Sequence, residues 1–240
     1  MNPSYEAQFS QWVHPLIKED FHKKKVLDAG CGMGRNSYWA VRWGAREVTA
    51  CDSDTRTVAI AQKTLAGFAN AKVVPCDIYE LPFKNEFDLA ISVGVLNHLE
   101  DPEKAMVALA TALKPRGILL LSLPSREGNE WFLWALEPFR KYITSRLPPD
   151  IVHVLSFFFS IPLWLFAKAL RGPTTYFKQL SKFSFWHIHS IVFGQLLPTV
   201  ASFWTEKQLR ALFDPTLFAE VHLFRTPTNV SWNAVGLKRS

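Results

Sequence analysis

The sequence is poor in cysteine and gives it no pattern. Cys31, Cys51 and Cys76 make an odd number with no C-x-x-C pair, which indicates neither a disulfide framework nor a zinc site. A reducing, cytoplasmic compartment is the resulting expectation. The opening stretch "MNPSYEAQFSQWVHPLIKED" lacks an apolar h-region and a small-residue cleavage site, so it does not read as a secretory signal. It reads as an amphipathic helix able to cap a pocket. There is no internal repeat and no low-complexity tract. Nucleotide fingerprints are missing too. Gly30, Gly32 and Gly34 are followed by no Lys-Ser or Lys-Thr, and the third glycine of a G-x-G-x-x-G would fall on Arg35, so neither a P-loop nor the dinucleotide motif is met.

What is present is a regular alternation. The chain has 240 residues, 48% of them hydrophobic, enough for one α/β domain carrying an insertion. Short apolar runs at 25–29, 47–51, 72–75, 87–92 and 117–123 read as strands. Helical stretches at 36–43, 55–66 and 102–113 lie between them. Strand and helix in alternation imply parallel βαβ units with right-handed crossovers. In "LKPRGILLLSL", Pro115 and Gly117 are expected to end a helix just before a strand buried on both faces. The pattern lapses after residue 124. It resumes at "TEKQLRALF", with Thr205 as N-cap, and closes with two strands, "LFAEVHLFR" and "VSWNAVGLK". The expected divisions are therefore 1–124 as an α/β core with an N-terminal helix, 125–204 as a helical insertion, and 205–240 as the closing helix and hairpin of the same core.

"VLDAGCGMGRN" places bare backbone at the end of the first strand, where parallel sheets bind ligands. A Cβ there would keep a ligand away from the chain. Asp52 ends the second strand in "VTACDSD", 20 residues after Gly32, a position from which an acid can take both ribose hydroxyls. Asp77 ends the third strand in "VVPCDIYELPF", beside the apolar Ile78. Each acid alone could simply cap the helix that follows it.

Together these stretches resemble the class I S-adenosylmethionine-dependent methyltransferases. "VLDAGCGMGRN" is similar to their first motif, "CDSD" to the second and "CDIYELPF" to the third. "FDLAISVGVLNHLEDPEKAM" and "LKPRGILLL" are similar to the fourth and fifth, and the likeness is greatest to the ubiquinone and menaquinone branch. The resemblance implies a seven-stranded Rossmann-like sheet with an antiparallel last strand and S-adenosylmethionine as cofactor. It implies that Asp28, Gly30, Cys31, Gly32 and Gly34 hold the methionine part, Asp52 with Ser53 the ribose, Asp77 and Ile78 the adenine, and the backbone at Val93 the aminoacyl end. Methyl displacement from a sulfonium requires alignment, no metal, and a base only where the nucleophile arrives protonated. His98 in "NHLED" is the candidate base, and packing under its loop is the competing reading. His187 and His189 in "FWHIHS" alternate as on an extended segment and lack a third metal ligand.

The insertion holds five of the nine tryptophans. "IVHVLSFFFSIPLWLFAKAL" has the length of a bilayer span, yet the hairpin after residue 214 must pair with strands before residue 124, and "FSFWHIHSIVFGQLLPTVASFW" makes a poor return span. On a helical wheel His153, Ser156, Ser160, Lys168 and Arg171 share an arc of about 120° with Trp164 and Ala167, and Pro162 should kink the helix. One polar stripe on a broad aromatic face suits a helix in a membrane interface. Eight basic residues (Arg126, Arg140, Lys141, Arg146, Lys168, Arg171, Lys178, Lys182) oppose four acidic ones between 126 and 182. A lid or a dimer contact is the alternative.

The function expected is methyl transfer to a hydrophobic or lipid-linked small molecule, in the cytoplasm, with peripheral contact to the cytoplasmic face of the membrane through 126–182. The formal charge of +6 also allows an RNA substrate. Against that, the stretch "SVGVLNH" lacks the Asn/Asp-Pro-Pro-aromatic pattern of base-amine enzymes, so no nucleic-acid partner is expected. A protein methyltransferase and a non-catalytic cofactor-binding protein are the remaining alternatives. The acceptor atom and the oligomeric state stay open.

Overall fold

The computed structural model describes residues 4–170, 180–196 and 202–240. Two compact units emerge, Met1–Ser125 with Ser202–Ser240, and Arg126–Ala201.

The first unit is built on a seven-stranded sheet. Its strands are β1 (Lys25–Ala29), β2 (Glu47–Asp52), β3 (Ala71–Pro75), β4 (Phe87–Val93), β5 (Leu113–Pro124), β6 (Phe218–Arg225) and β7 (Ser231–Lys238). They lie in the order β3-β2-β1-β4-β5-β7-β6. β1 to β5 run parallel, and β7 pairs antiparallel with both β5 and β6. The order turns back between β1 and β4, so the glycine loop after β1 sits at the switch point where open α/β sheets bind ligands.

The helices of this unit are α1 (Ser4–Val13), α2 (Lys18–Phe21), α3 (Arg35–Arg42), α4 (Thr55–Leu65) and α5 (Pro102–Ala112). A further helix, Glu206–Ala211, follows the insertion. Continuous apolar runs become central strands because both sheet faces are covered: Leu119, Leu120 and Leu121 are fully buried. One face packs against Met106 and Leu109 of α5 and Leu209, the other against Phe9 and Val13 of α1 and Trp39 of α3. Burying a leucine or phenylalanine side chain contributes about 1.5–3 kcal/mol, and the core gathers many. Thr205 caps its helix as expected, accepting from Gln208 N at 3.3 Å while Gln208 Oε1 accepts from Thr205 N at 3.0 Å.

Two details differ from the sequence reading. α5 ends at Ala112, before Pro115, and Pro115 and Gly117 lie inside β5. Phe87 pairs with Leu113 but Leu89 with Ile118, so β5 accommodates the proline in a bulge where no ladder donor is needed. Cys51 and Cys76 are joined by a disulfide, their Cα atoms 5.8 Å apart. Adjacent parallel strand ends bring together two cysteines 25 residues apart in sequence, a pairing that spacing alone does not reveal.

The second unit contains α6 (Glu130–Tyr142), α7 (Pro149–Leu170) and α8 (Phe185–Leu196); the helix Glu206–Ala211 of the first unit is thus α9. α7 runs through Pro162 as one helix. His187 and His189 belong to α8, not to an extended segment. Two residues apart on a helix they diverge: His187 lies against the Phe183 ring, and His189 turns toward α7. Arg171 and Lys178 lie outside the described residues.

Candidate functional site

A cavity of about 490 Å³ opens at the carboxyl ends of β1, β2 and β4. Its floor is the loop after β1. Gly30 N and Cys31 N donate to the Cys51 carbonyl at 2.8 and 2.9 Å, which ties the loop to β2. Gly30 has a φ of +78°, and a Cβ there would stand 2.3 Å from Val95 Cγ2. That glycine is required by the close approach of the β4 loop. Gly32, at φ +50°, has nothing within 4 Å of where its Cβ would be. Its bare backbone faces open space, which is what a ligand needs.

Asp52 forms the wall beside that loop. Its Oδ2 accepts from Gly32 N at 2.8 Å, and its Oδ1 from Asp54 N at 3.0 Å and Thr57 Oγ1 at 3.1 Å. A carboxylate offers about four lone-pair sites, so a fixed acceptor with spare capacity points at the cavity. Ser53 and Val93 line it as well, and His98 stands exposed at its edge on the 3-10 turn Leu96–His98. Cys31 is also in the wall. Burial and the nearby Asp28 and Asp52 push its thiol far up, so it stays protonated and serves as packing, not as a nucleophile.

Four expected residues do not line the cavity. Asp28 points into the fold, fully buried, and accepts from Ser37 Oγ at 2.5 Å. It props α3 beneath the loop. Gly34 packs on Ala61 of α4. Asp77 accepts from Tyr79 N at 2.9 Å as the cap of the 3-10 turn Ile78–Glu80, and Ile78 is buried in the core.

Other wall residues were not expected. Met33, Arg35 and Asn36 belong to the glycine motif, and Gly94 and Val95 follow Val93, so adjacency to named residues was the available signal. Leu99 follows His98. Trp12 reaches the cavity from α1, the N-terminal helix read as able to cap a pocket, although nothing local singles out Trp12 within it. Asn233 of β7 holds that helix by donating from Nδ2 to the carbonyls of Gln11 at 2.9 Å and His14 at 2.8 Å.

A protein-family signature described as "Methyltransferase domain" matches residues 27–121, the span that contains the glycine loop, Asp52 and the His98 turn. Residues 27–121 belong to the methyltransferase-domain family. The chain is 34% identical over 110 residues to the mitochondrial ubiquinone biosynthesis O-methyltransferase of Schizosaccharomyces pombe, covering 44% of this chain and 40% of that one. It is 31% identical over 120 residues to the tRNA U34 carboxymethyltransferase of Pseudoalteromonas atlantica, 49% and 37% respectively. An uncharacterized protein of Synechococcus is 40% identical over 104 residues, 40% of this chain and 24% of the other. The chain thus spans less than half the length of these curated relatives. Among solved structures, magnesium protoporphyrin IX methyltransferase from Synechocystis with bound SAH matches in fold. Its TM-score is 0.59 at 18% identity, over 99% of this chain and 84% of that one.

The methyltransferase domain fits S-adenosylmethionine on its own geometry. The space beside Gly32 admits a ligand against the backbone, and Asp52 is the fixed acceptor beside it. Asp52→Ala should weaken S-adenosylmethionine binding by about 1.5–3 kcal/mol, the worth of hydrogen bonds to a charged group. Calorimetry checks this; unchanged affinity in the folded variant would remove Asp52 from the site.

Proposed function

We propose that the protein methylates a hydrophobic or lipid-linked small molecule, with peripheral contact to the membrane through residues 126–182. The observation that carries the methyl-transfer part is the open space at Gly32 facing the fixed carboxylate of Asp52. When bound, S-adenosylmethionine supplies a methyl group on a sulfonium, a leaving group already activated. What this chain contributes is alignment. Asp52 accepts ribose hydroxyls, the loop 30–34 holds the methionine part, and Trp12 and Leu99 offer apolar wall. His98, at the edge of the cavity, takes the proton of an acceptor that arrives protonated.

His98→Ala should lower turnover roughly 100-fold, with cofactor affinity unchanged and the acidic limb of the pH–rate curve lost. A variant that melts early yet keeps its turnover per folded molecule would make His98 a packing residue instead.

An RNA substrate is the second reading, supported by the tRNA-modifying relatives and the formal charge of +6. Incubating the protein with radiolabelled methyl donor and, separately, total lipid extract and total RNA tests the two. Label in the lipid fraction supports the first reading, and label in RNA replaces it with the second.

A further inference from the structure

The α7–α8 contact buries polar groups beside a small apolar cluster of Ala167, Leu180, Phe183 and Ile188, while many large apolar groups of α7 stay outside. Ser156 and Ser160 of α7 are fully buried. Ser156 Oγ donates to the His153 carbonyl at 2.6 Å, and Ser160 Oγ lies 3.0 Å from His189 Nδ1 on α8. The Nε2 atoms of His153 and His189 are 3.2 Å apart. Ser156 and Ser160, the middle of the expected polar stripe, therefore sit in a seam between two helices, while His153 and Lys168 at its ends are exposed. Trp164 is half-buried and meets Phe185 across the same contact.

The other side of α7 is apolar and open. Ile151, Val154, Phe158, Ile161 and Leu165 recur at spacings of three and four, so they form one stripe, and Phe158 is 79% exposed. Phe159 and Phe166 flank it, also exposed. No Asp, Glu, Lys or Arg occurs from residue 151 to residue 167. Only 22% of the apolar stretch of α7 is buried. A helix facing water shows the reverse polarity.

Lipid fits this face by three features. The buried hydroxyls and His189 find partners within the hairpin, so the surface needs no water. Lys168 and Lys182 stand exposed near its one end, matching anionic headgroups. Trp134, Tyr142 and Trp186 are exposed elsewhere on the unit, the residue types that favour a membrane–water boundary.

The pairing also decides orientation. His153 meets Phe193, Phe157 meets Phe185, and Lys168 Nζ donates to the Ser181 carbonyl, so α7 and α8 run antiparallel. The described residues of α8, 12 in number, extend about 18 Å, short of a hydrocarbon core of about 30 Å. Its exposed positions include Ser190 and Gln195, which belong in water.

We propose that α7 lies in the plane of one membrane leaflet, its Ile151–Val154–Phe158–Ile161–Leu165 stripe among the acyl chains and α8 stacked on its polar side. This rests on the membrane contact proposed above and adds the face, its depth and its orientation.

The test uses the full chain with vesicles of phosphatidylcholine and phosphatidylglycerol. A photoreactive phenylalanine is placed singly at positions 151, 158 and 165. All three should crosslink to acyl chains at similar depth, and a graded depth would mean a spanning helix and overturn the proposal. Phe158→Asp should weaken vesicle partitioning roughly 100-fold, the penalty of a carboxylate in hydrocarbon, while S-adenosylmethionine affinity stays unchanged. Vesicle binding that survives Phe158→Asp, with no acyl crosslink at 158, would overturn acyl burial and leave an electrostatic membrane contact standing. Wild-type protein that remains in the supernatant, with position 158 crosslinked to a second copy, would overturn both. Methyl transfer is measured separately and is untouched by either result.

Discussion

Gly32→Val should abolish S-adenosylmethionine binding in a protein that still folds. A Cβ at Gly32 meets no atom of the chain within 4 Å, so the valine side chain extends into the cavity itself. Overfilling a site of fixed shape costs about 1–3 kcal/mol, and loss of the backbone approach adds to it. The expected result is an affinity lower by roughly 100-fold or more, equivalent to about 3 kcal/mol. The φ of +50° adds strain for a β-branched residue, so some loss of thermal stability accompanies it. Gly32→Ala carries most of the backbone strain with little of the bulk, and it should keep measurable binding. Gly30→Ala gives the opposite pattern. Its Cβ would stand 2.3 Å from Val95 Cγ2, so the fold is destabilised first. Calorimetry and thermal melts on the three variants separate these outcomes. Gly32→Val with wild-type affinity would place the cofactor elsewhere.

The second large effect is a pH dependence of stability that Asp28→Asn should remove. Asp28 is fully buried; its Oδ2 accepts from Ser37, while its Oδ1 has no partner. Burial is the main cause raising its pKa from the ordinary 3.8 to about 6, against the Ser37 hydrogen bond and with help from Asp52. A carboxyl whose folded pKa is raised favours the fold most when it is protonated in both states. That contribution is complete below about pH 4 and is lost as pH rises through 6. From 3.8 to about 6 is roughly 2 units, or about 3 kcal/mol at 1.36 kcal/mol per unit. Denaturant titrations at pH 4, 6 and 8 should show the wild type losing this share over that window. Asn cannot ionise and its carbonyl still accepts from Ser37, so the variant should lack the loss and be the more stable protein at pH 8. Parallel curves for the two proteins would show that Asp28 does not titrate in the folded state.

The contrast between these two residues shows what was legible in the sequence. The strands and helices of the sheet were readable to within a few residues because apolar runs, caps and glycines act locally. Lys25–Ala29 coincides with β1, and Thr205 does cap its helix. Seven of the residues named from motifs reach the cavity: Gly30, Cys31, Gly32, Asp52, Ser53, Val93 and His98. Motif membership did not reveal which of the others would point away. Asp28 and Gly32 stand four residues apart, yet one faces the core and the other open space. That choice depends on strand pleat and on what packs beneath.

The chain's order of residues by itself determined the βαβ alternation, the glycine loop at the end of β1 and the acid at the end of β2, since each is set by propensity and near neighbours. Contacts between distant residues were decided only by tertiary structure. Asn233 brings Trp12 to the cavity from more than two hundred residues away, and Cys51 meets Cys76 because β2 and β3 are adjacent. The same holds for α7. A helical wheel shows that its polar and apolar residues lie on opposite faces, but not which face is covered. His189 decides this by drawing Ser156 and Ser160 inward, and the apolar stripe is left outside because a helix has only one face to give to its partner.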